Sequence, residues 1–314
     1  KVLGAPARWL RAGATLSPDF MFRNPARDQL TAFAYSKYGF MPGIDFLRGI
    51  GSMLGKDADY QLYRMSGGEH SMLVSIDRSY LQKTFKEIVE GKRFTNYVKH
   101  PLEFFRIISE LGEKATRLGE FKKGIKSGAI PLEAGYSSRV VTLDFSQAGT
   151  TAQAINTFIA FFNANIRGWG RMISSFKEHP IRTSTKVFLG ITLPSILLWM
   201  ANHDEDWYKE VPQWQKDLFW LVNVGGVIIR IPKPFELGII FGSGPERFLD
   251  WLYERDSNLM KDFAQSLIEA GSPGFIPTAG LPIIEWMTNY SFFRGTKIVP
   301  ASREKMPAEL QYTA

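Results

Sequence analysis

The amino-acid sequence predicts an all-α protein of about ten helices in an irregular bundle, with one small β-hairpin at its edge. Two observations support this prediction. Apolar side chains recur every three or four residues along most of the chain, the spacing that places them on one face of a helix. Only residues 220–231 combine β-branched residues with a central Gly–Gly pair, a pattern typical of a hairpin with a two-residue turn.

Charge divides the chain into two regions. Residues 1–130 contain 21 Lys and Arg against 13 Asp and Glu, whereas residues 131–314 contain 17 against 18. We therefore predict a basic helical region over 1–130 and an apolar helical region, which includes the hairpin, over 131–314. Any attraction to DNA or to an anionic lipid surface is expected in the first region.

Both ends of the sequence resemble cuts within a longer chain. It starts at Lys1 without an initiator Met or a signal peptide, and it stops abruptly at Ala314. We expect the two regions to be one segment of a much longer polypeptide.

Two helices are predicted at the start of the basic region. Asn24 is a suitable N-cap, and Pro25 suits the first position of a helix that runs to about Tyr38. The next helix covers about 42–54. Its apolar side chains are predicted to point inward: Ile44, Leu47 and Leu54.

Two further helices are predicted over 78–90 and 101–126. The second is long and amphipathic, and Glu113 and Arg117 within it have the i, i+4 spacing of an ion pair in the favourable order. Residues 127–151 are rich in Gly, Ser, Pro and Thr, so we predict a long connection there.

A strict heptad pattern follows over residues 152–177. Its apolar positions are separated alternately by four and three residues, a period that keeps one helix face on a partner helix. We predict a helix-packing or oligomer seam formed by Ile155, Ile159, Phe162, Ile166, Trp169, Ile173 and Phe176.

An apolar run extends from Val187 to Ala201 without a charged side chain. It is shorter than the roughly 20 apolar residues of a transmembrane helix, and Gly190 and Pro194 interrupt it. Three environments would bury such a run: the protein core, a membrane or its interface, and a contact between copies of the chain.

The predicted hairpin turns on Gly225 and Gly226, which can adopt the positive φ angles of a two-residue turn. Pro232 and Pro234 cannot donate hydrogen bonds to a sheet, so we predict an edge hairpin. Further helices are predicted over 244–255, 258–270 and 283–290.

The sequence lacks a recognisable catalytic or metal-binding pattern. The four histidines are scattered, and the acidic run 204–206 lacks the spacing of a calcium loop. The run 51–56 lacks the first glycine of a phosphate loop, and Ser243 is not in the spacing of a nucleophile elbow. The absence of Cys excludes disulfides and thiolate chemistry. We predict a non-enzymatic chain with no catalytic residue, no cofactor and no metal.

Several short motifs, taken in their order and spacing, resemble a large polyvalent protein-associated domain. The motifs cover nearly the whole chain and comprise residues 24–28, 115–121, 142–146, 161–164, 190–195, 230–238, 245–247 and 289–295. The run Arg230 to Gly238 is the most recognisable of them. Within it we expect structural roles for four residues, with Arg230 and Glu236 in ion pairs and Pro232 and Pro234 ending the strand ladder.

The resemblance implies a segment of a giant bacteriophage virion protein, carried inside the capsid and ejected with the genome. It implies no catalytic residues. We therefore expect a structural segment that helps to form the conduit for genome delivery across the host envelope, located first in the virion and then in the envelope. The expected partners are other segments of the same polypeptide, further copies and other ejection proteins, with nonspecific contact to DNA and membrane contact through residues 187–201. The alternative is a co-injected host-takeover protein whose soluble helical module binds a host factor.

Overall fold

The computed structural model describes residues 18–68, 101–142, 162–254, 280–291, 296–300 and 302–311, with isolated positions at 7, 10, 155, 158 and 159. These residues confirm a mostly helical fold with a small hairpin. The helices in the first half are α1 (Pro18–Tyr35), α2 (Ile44–Gly55), α3 (Ala58–Met65), α4 (Pro101–Lys126) and α5 (Pro131–Val140). The predicted helices 78–90 and 258–270 lie outside the described residues.

The second half contains a nearly continuous series of helices around the hairpin. Its elements are α6 (Phe162–Glu178), α7 (Pro180–Val187), a first π turn (Phe188–Thr192), α8 (Leu193–Asn202), α9 (Asp206–Glu210), α10 (Gln213–Leu218), β1 (Phe219–Val224), β2 (Val227–Pro232), α11 (Phe235–Gly238), a second π turn (Ile239–Ser243), α12 (Gly244–Glu254) and α13 (Leu281–Thr288). A second antiparallel pair, β3 (Tyr290–Ser291) with β4 (Thr296–Lys297), is present where the sequence predicted irregular structure.

Helix α4 is the centre of the first half. Every residue from 112 to 121 is buried, and α1, α2, α3 and α5 pack around the helix. Small residues allow the close approach, since a Cβ on Gly49 would collide with the carbonyl oxygen of Ala115. The predicted ion pair is present, with Arg117 Nη2 2.6 Å from Glu113 Oε1. It is buried and does not lie on a solvated helix face. A long charged helix can therefore occupy a core when its charges are paired.

A buried carboxylate joins α4 to its neighbours. Glu120 accepts hydrogen bonds from the Ser36 hydroxyl at 2.6 Å and from the Ser137 hydroxyl at 3.2 Å. Burial raises the pKa of Glu120. Lys186 on α7 donates to the carbonyl oxygen of Ser36 at 3.0 Å, so the same junction links the two halves.

The helix predicted to begin at Pro25 begins at Pro18 instead, and Pro25 lies inside α1. The Pro25 ring packs against Gly112 of α4, where a side chain could not fit. Asn24 does not cap the helix, because its amide donates to the carboxylate of Asp28 at 3.2 Å within the same helix.

The buried face of α2 is the opposite of the predicted one. Ile44, Leu47 and Leu54 are 52%, 64% and 75% exposed. The inward face contains the small or polar residues Asp45, Gly49 and Ser52, and Met53 is its one large apolar residue. The reason is steric, because the backbones of α2 and α4 are too close for large side chains.

Helix α5 lies within the stretch predicted as a connection. Pro131 occupies its first turn, and Ala134, Gly135 and Ser138 form its buried face. Small side chains again mark close packing, here against α4 and Ser66. A composition rich in Gly and Ser therefore indicated a tight helix contact in this region and not a loop.

Three apolar clusters hold the described elements together. The first joins α1, α6, α7, β1 and α11 and contains Ala32, Ala34, Tyr35, Phe40, Val141, Met172, Val187, Ile191, Trp220 and Leu237. The second surrounds α4 and contains Met53, Tyr60, Tyr63, Ala115, Leu118, Phe121 and Ala134. The third lies under the hairpin and contains Tyr208, Val211, Phe219 and Leu221. Helix α1 thus packs against both halves of the chain.

Candidate functional site

An exposed apolar stripe runs along α7, the first π turn and α8. Within the described residues, the helix Pro180–Asn202 is long and apolar enough to cross a membrane by length and composition, and its most apolar 18-residue stretch has a mean hydropathy of 1.4. Only 22% of that stretch is buried. The large exposed side chains are Ile181 at 83%, Phe188 at 50%, Leu189 at 53%, Leu197 at 55% and Met200 at 62%. We call these five residues the apolar stripe.

The first π turn brings the stripe onto one face. The amide of Leu193 donates to the carbonyl oxygen of Phe188, five residues back, which inserts one residue into the helix. Without this residue α8 would be rotated by about 100° relative to α7. Pro194 accounts for the π turn, because its ring would collide with the carbonyl four residues back in a regular helix.

The inner face of α8 is fixed by three side-chain hydrogen bonds. Ser195 accepts from the indole of Trp220 at 2.6 Å, and the indole of Trp199 donates to Asp250 at 2.5 Å. Asn202 donates its amide to the carbonyl oxygen of Leu221 at 2.8 Å. The helix therefore buries Val187 and Ile191 in the first apolar cluster and hydrogen-bonding groups of α8 against β1 and α12, while large apolar side chains also cover its outer face.

A buried ionic network fixes the base of the hairpin. Lys233 donates to Glu246 at 2.6 Å, to Ser243 at 3.0 Å and to the carbonyl oxygen of Lys216 at 2.9 Å. Burial lowers the pKa of Lys233, and burial raises the pKa of Glu246 to about 7. Every donor position on the ammonium has an acceptor, as a buried cation requires.

A second buried pair completes this network. Arg247 binds the Asp217 carboxylate in a bidentate manner, at 3.0 Å and 2.9 Å. Ser243 donates to the carbonyl oxygen of Asp217 at 2.7 Å. A Ser beside a Lys can form a catalytic dyad, but the Ser243 hydroxyl is fully buried and donates its proton to a backbone carbonyl. This contact therefore stabilises the junction between α10, the second π turn and α12.

The structure separates the predicted seam into inward and outward residues. Trp169 and Phe176 pack against the first apolar cluster, and Phe176 stacks on Phe241 with ring centroids 5.2 Å apart. Ile166 and Ile173 are 45% and 61% exposed. The other three positions, Ile155, Ile159 and Phe162, are half-buried.

The four signature residues lie at the hairpin base but do not form one cluster. The Arg230 guanidinium donates to Gln215 at 2.8 Å, and in the described residues it does not pair with Glu236. The strand ladder ends at Pro232, which is paired with Phe219, and Pro234 precedes α11. Glu236 packs beside Gly168 of α6, where a Cβ would collide with its carboxylate.

Glu236 lines a cavity together with Thr31, Tyr35, Thr142 and Gly168. Burial raises the pKa of Glu236 to about 7. The cavity volume is about 10 Å³, which is the space of one water molecule. It is therefore too small to bind an organic ligand. Across the described ranges, no three His, Asp or Glu side chains come close enough to hold a metal ion.

Sequence reasoning did not find the hydrogen-bonding roles of Ser195, Trp199 and Asn202. Ser195 and Asn202 lie within or next to the apolar run, and their partners are distant in sequence. The spacing of Ser195, Trp199 and Asn202 at intervals of four and three residues was a signal that one face of the run is polar.

Residues 205–314 match the family model described as large polyvalent protein associated domain 38. This match supports the predicted resemblance to a polyvalent protein domain over that part of the chain. The motifs before residue 205 lie outside it. No curated protein and no solved structure matches the chain.

Proposed function

We propose that this chain is a non-enzymatic structural segment of a phage internal virion or ejection protein, which helps to form the conduit for genome delivery across the host envelope. The observation that carries the proposal is the apolar stripe on a helix whose inner face is fixed by hydrogen bonds. The match of residues 205–314 to a polyvalent protein domain supports the assignment to this class of polypeptide.

The dimensions of the stripe fit a role in the wall of such a conduit. Ile181 and Met200 are separated by about 28 Å along the helix axis, close to the hydrocarbon thickness of about 30 Å in a bilayer. The stripe covers one side of the helix, because the other side binds β1 and α12. It would therefore face lipid at the outer surface of an assembly while the rest of the chain faces inward.

The proposal includes two further contacts. Ile166 and Ile173 are exposed on α6 and would pack against another copy or another ejection protein. The basic region 1–130 would contact DNA without sequence preference, through phosphate contacts that weaken as salt concentration rises.

Vesicle flotation tests the membrane contact. We expect the 314-residue chain to float with vesicles of phosphatidylethanolamine and phosphatidylglycerol at low salt. The double substitution Phe188→Ser, Leu197→Ser should lower the bound fraction at least fivefold, because it places two hydroxyls in the apolar stripe. A matched control, Leu132→Ser with Tyr136→Ser, changes two exposed side chains of α5 and should bind like the unmodified chain.

Two results would contradict the membrane contact. The first is no flotation of the unmodified chain at low salt. The second is an equal loss of binding in the stripe variant and in the α5 control, which would indicate nonspecific binding of vesicles to any exposed apolar residue.

Mass spectrometry of purified virions, followed by fractionation of infected cells, tests the virion assignment. We expect this polypeptide in the particle and then in the envelope fraction. Its absence from particles would refute the ejection role. Its presence as a soluble cytoplasmic pool would favour the alternative, a co-injected host-takeover protein whose helical module binds a host factor.

A further inference from the structure

A short segment after the hairpin combines two unusual features. Residues 234–238 contain α11 and line the cavity that also borders α1 and α6. Phe235 has a backbone φ of 24°, and the next residue, Glu236, is a titratable side chain in the cavity wall. The two features are independent observations on neighbouring residues.

The Phe235 backbone is strained. In the described part of the chain, Lys56 and Asn289 also have a positive φ, but both follow the end of a helix, where the left-handed conformation is common. Phe235 instead begins a helix, and its φ of 24° crowds the Cβ of a bulky residue. Neighbouring contacts hold this conformation, since the Arg27 guanidinium lies 4.8 Å over the Phe235 ring and Leu237 is 2% exposed. Such strain is typical of switch regions.

The Glu236 carboxylate has no counterion among the described residues. Its hydrogen bond comes from its own backbone amide, and the side chain is half-buried. The adjoining cavity of about 10 Å³ has space for one water molecule, whereas an ionised carboxylate offers about four acceptor sites. The cavity therefore hydrates the ionised form poorly, and burial raises the pKa of Glu236 to about 7.

Three arginines contact residues of the cavity wall, but each is engaged with another group. Arg171 of α6 donates to the carbonyl oxygen of Tyr35 at 3.4 Å. Arg27 of α1 lies over the Phe235 ring. Arg117 of α4 donates to a wall threonine and is paired with Glu113. Among the described residues, none of these charges offsets the effect of burial on the pKa of Glu236.

Other titratable groups lie on the elements around this segment. Burial raises the pKa values of Asp28 and Tyr35 on α1. On α10, the carboxylate of Asp217 is paired with Arg247. All of these groups are retained when Glu236 alone is substituted. A difference in pH dependence between such a variant and the unmodified chain therefore reports on Glu236.

We propose that residues 234–238 form a proton-operated latch between α1 and α6. With Glu236 protonated the latch is closed, and the segment packs on both helices. When Glu236 loses its proton to solvent, its carboxylate turns to water, Phe235 leaves its strained conformation and the contact of α11 with α1 loosens. Because Glu236 is half-buried, the movement to water is short. This inference does not depend on the proposed function, since it concerns a contact within one chain.

Hydrogen exchange measures the opening at two amides of the latch. The amide of Gly238 donates to Pro234, and the amide of Ile239 donates to Glu236 and Phe235. An exposed glutamate has an ordinary pKa of 4.5, against about 7 in the closed latch, so ionisation can favour the open state by up to about 300-fold. We expect the protection factors of both amides to fall at least tenfold between pH 5.5 and pH 8.5.

The variant Glu236→Gln should keep the latch closed at both pH values, because the amide side chain has nearly the same shape and does not ionise. Its two latch amides should retain the protection that the unmodified chain has at pH 5.5. The control Glu205→Gln, in an exposed loop, should open with pH like the unmodified chain. At pH 8.5 the latch amides of the unmodified chain should be at least tenfold less protected than residues 112–121 of α4, because the opening is local.

A second variant opens the latch without a change of charge. The Cβ of Gly168→Ala would collide with the Glu236 carboxylate, so the latch amides should already be weakly protected at pH 5.5. The matched control is Gly170→Ala on the same helix, since no atom lies within 4 Å of its Cβ position. This control should exchange like the unmodified chain.

Three outcomes would overturn the proposal. One is the same pH dependence of exchange in Glu236→Gln and in the unmodified chain. Another is equal protection of the latch amides and of residues 112–121 at pH 8.5, which would mean that the segment opens only when the whole chain unfolds. The third is full protection of the latch amides in Gly168→Ala at pH 5.5.

Discussion

At the scale of single residues, the Glu236 carboxyl changes its ionisation state near neutral pH. Burial raises its pKa to about 7, and its carboxylate lies against Gly168, where a Cβ would collide with it. The folded chain then binds more protons than the unfolded chain between the ordinary pKa of 4.5 and pH 7. The contribution of Glu236 to the free energy of unfolding is therefore greatest below pH 4.5 and falls as pH rises to 7.

We predict that Glu236→Gln removes this loss of stability at higher pH. The variant should be more stable than the unmodified chain at pH 8 by up to about 3 kcal/mol, and the difference should be small at pH 4.5. Urea unfolding at the two pH values measures it, with Glu205→Gln in an exposed loop as the control. Parallel stability curves for Glu236→Gln and the unmodified chain would show that this carboxyl is ionised without cost in the fold.

At the scale of elements, the first π turn determines which side chains of α8 face inward. It lets Ser195, Trp199 and Asn202 reach β1 and α12 together. The second π turn has the same local cause, since Pro245 follows it as Pro194 follows the first. The two π turns also pack on each other, with Gly242 close to the side chain of Ile191.

We predict that deletion of Leu189 lowers the free energy of unfolding by at least about 3 kcal/mol, because three side-chain hydrogen bonds can no longer form together. The matched control is Leu189→Ala, which removes an exposed side chain but keeps the residue count. It should change stability by less than about 1 kcal/mol. Thermal and urea unfolding of both variants check the prediction. Similar stability for the two would mean that α8 does not depend on its rotation relative to α7.

The elements differ in how well sequence reasoning predicted them. The hairpin was predicted within one residue at each end, because its signal is local and lies in the turn at Gly225–Gly226. The buried face of α2 was predicted incorrectly, and α5 was predicted as a connection. Both features depend on how close α4 lies, which no local pattern encodes. Small residues there indicated close contact between helices and not flexibility.

At the scale of the whole molecule, the described surface contains apolar regions on several separate elements. The apolar stripe lies on α7 and α8, Ile44, Leu47 and Leu54 of α2 are exposed in the first half, and Ile283, Trp286 and Met287 of α13 are 59% to 80% exposed. The sequence predicted an apolar run over 187–201 that is shorter than a membrane span, whereas the helix Pro180–Asn202 has 23 residues. It could not predict which side faces outward, because that side is defined by partners on β1 and α12.

The buried network around Lys233 has a consequence for how this part of the chain folds. Lys233, Glu246, Asp217 and Arg247 come from three elements, and none of these charges can be buried until its counterion has arrived. The hairpin and α12 should therefore form in one cooperative step, with no stable intermediate that contains only one of them. Residues 213–247 then behave as one folding unit, and the family match that begins at residue 205 contains all of it.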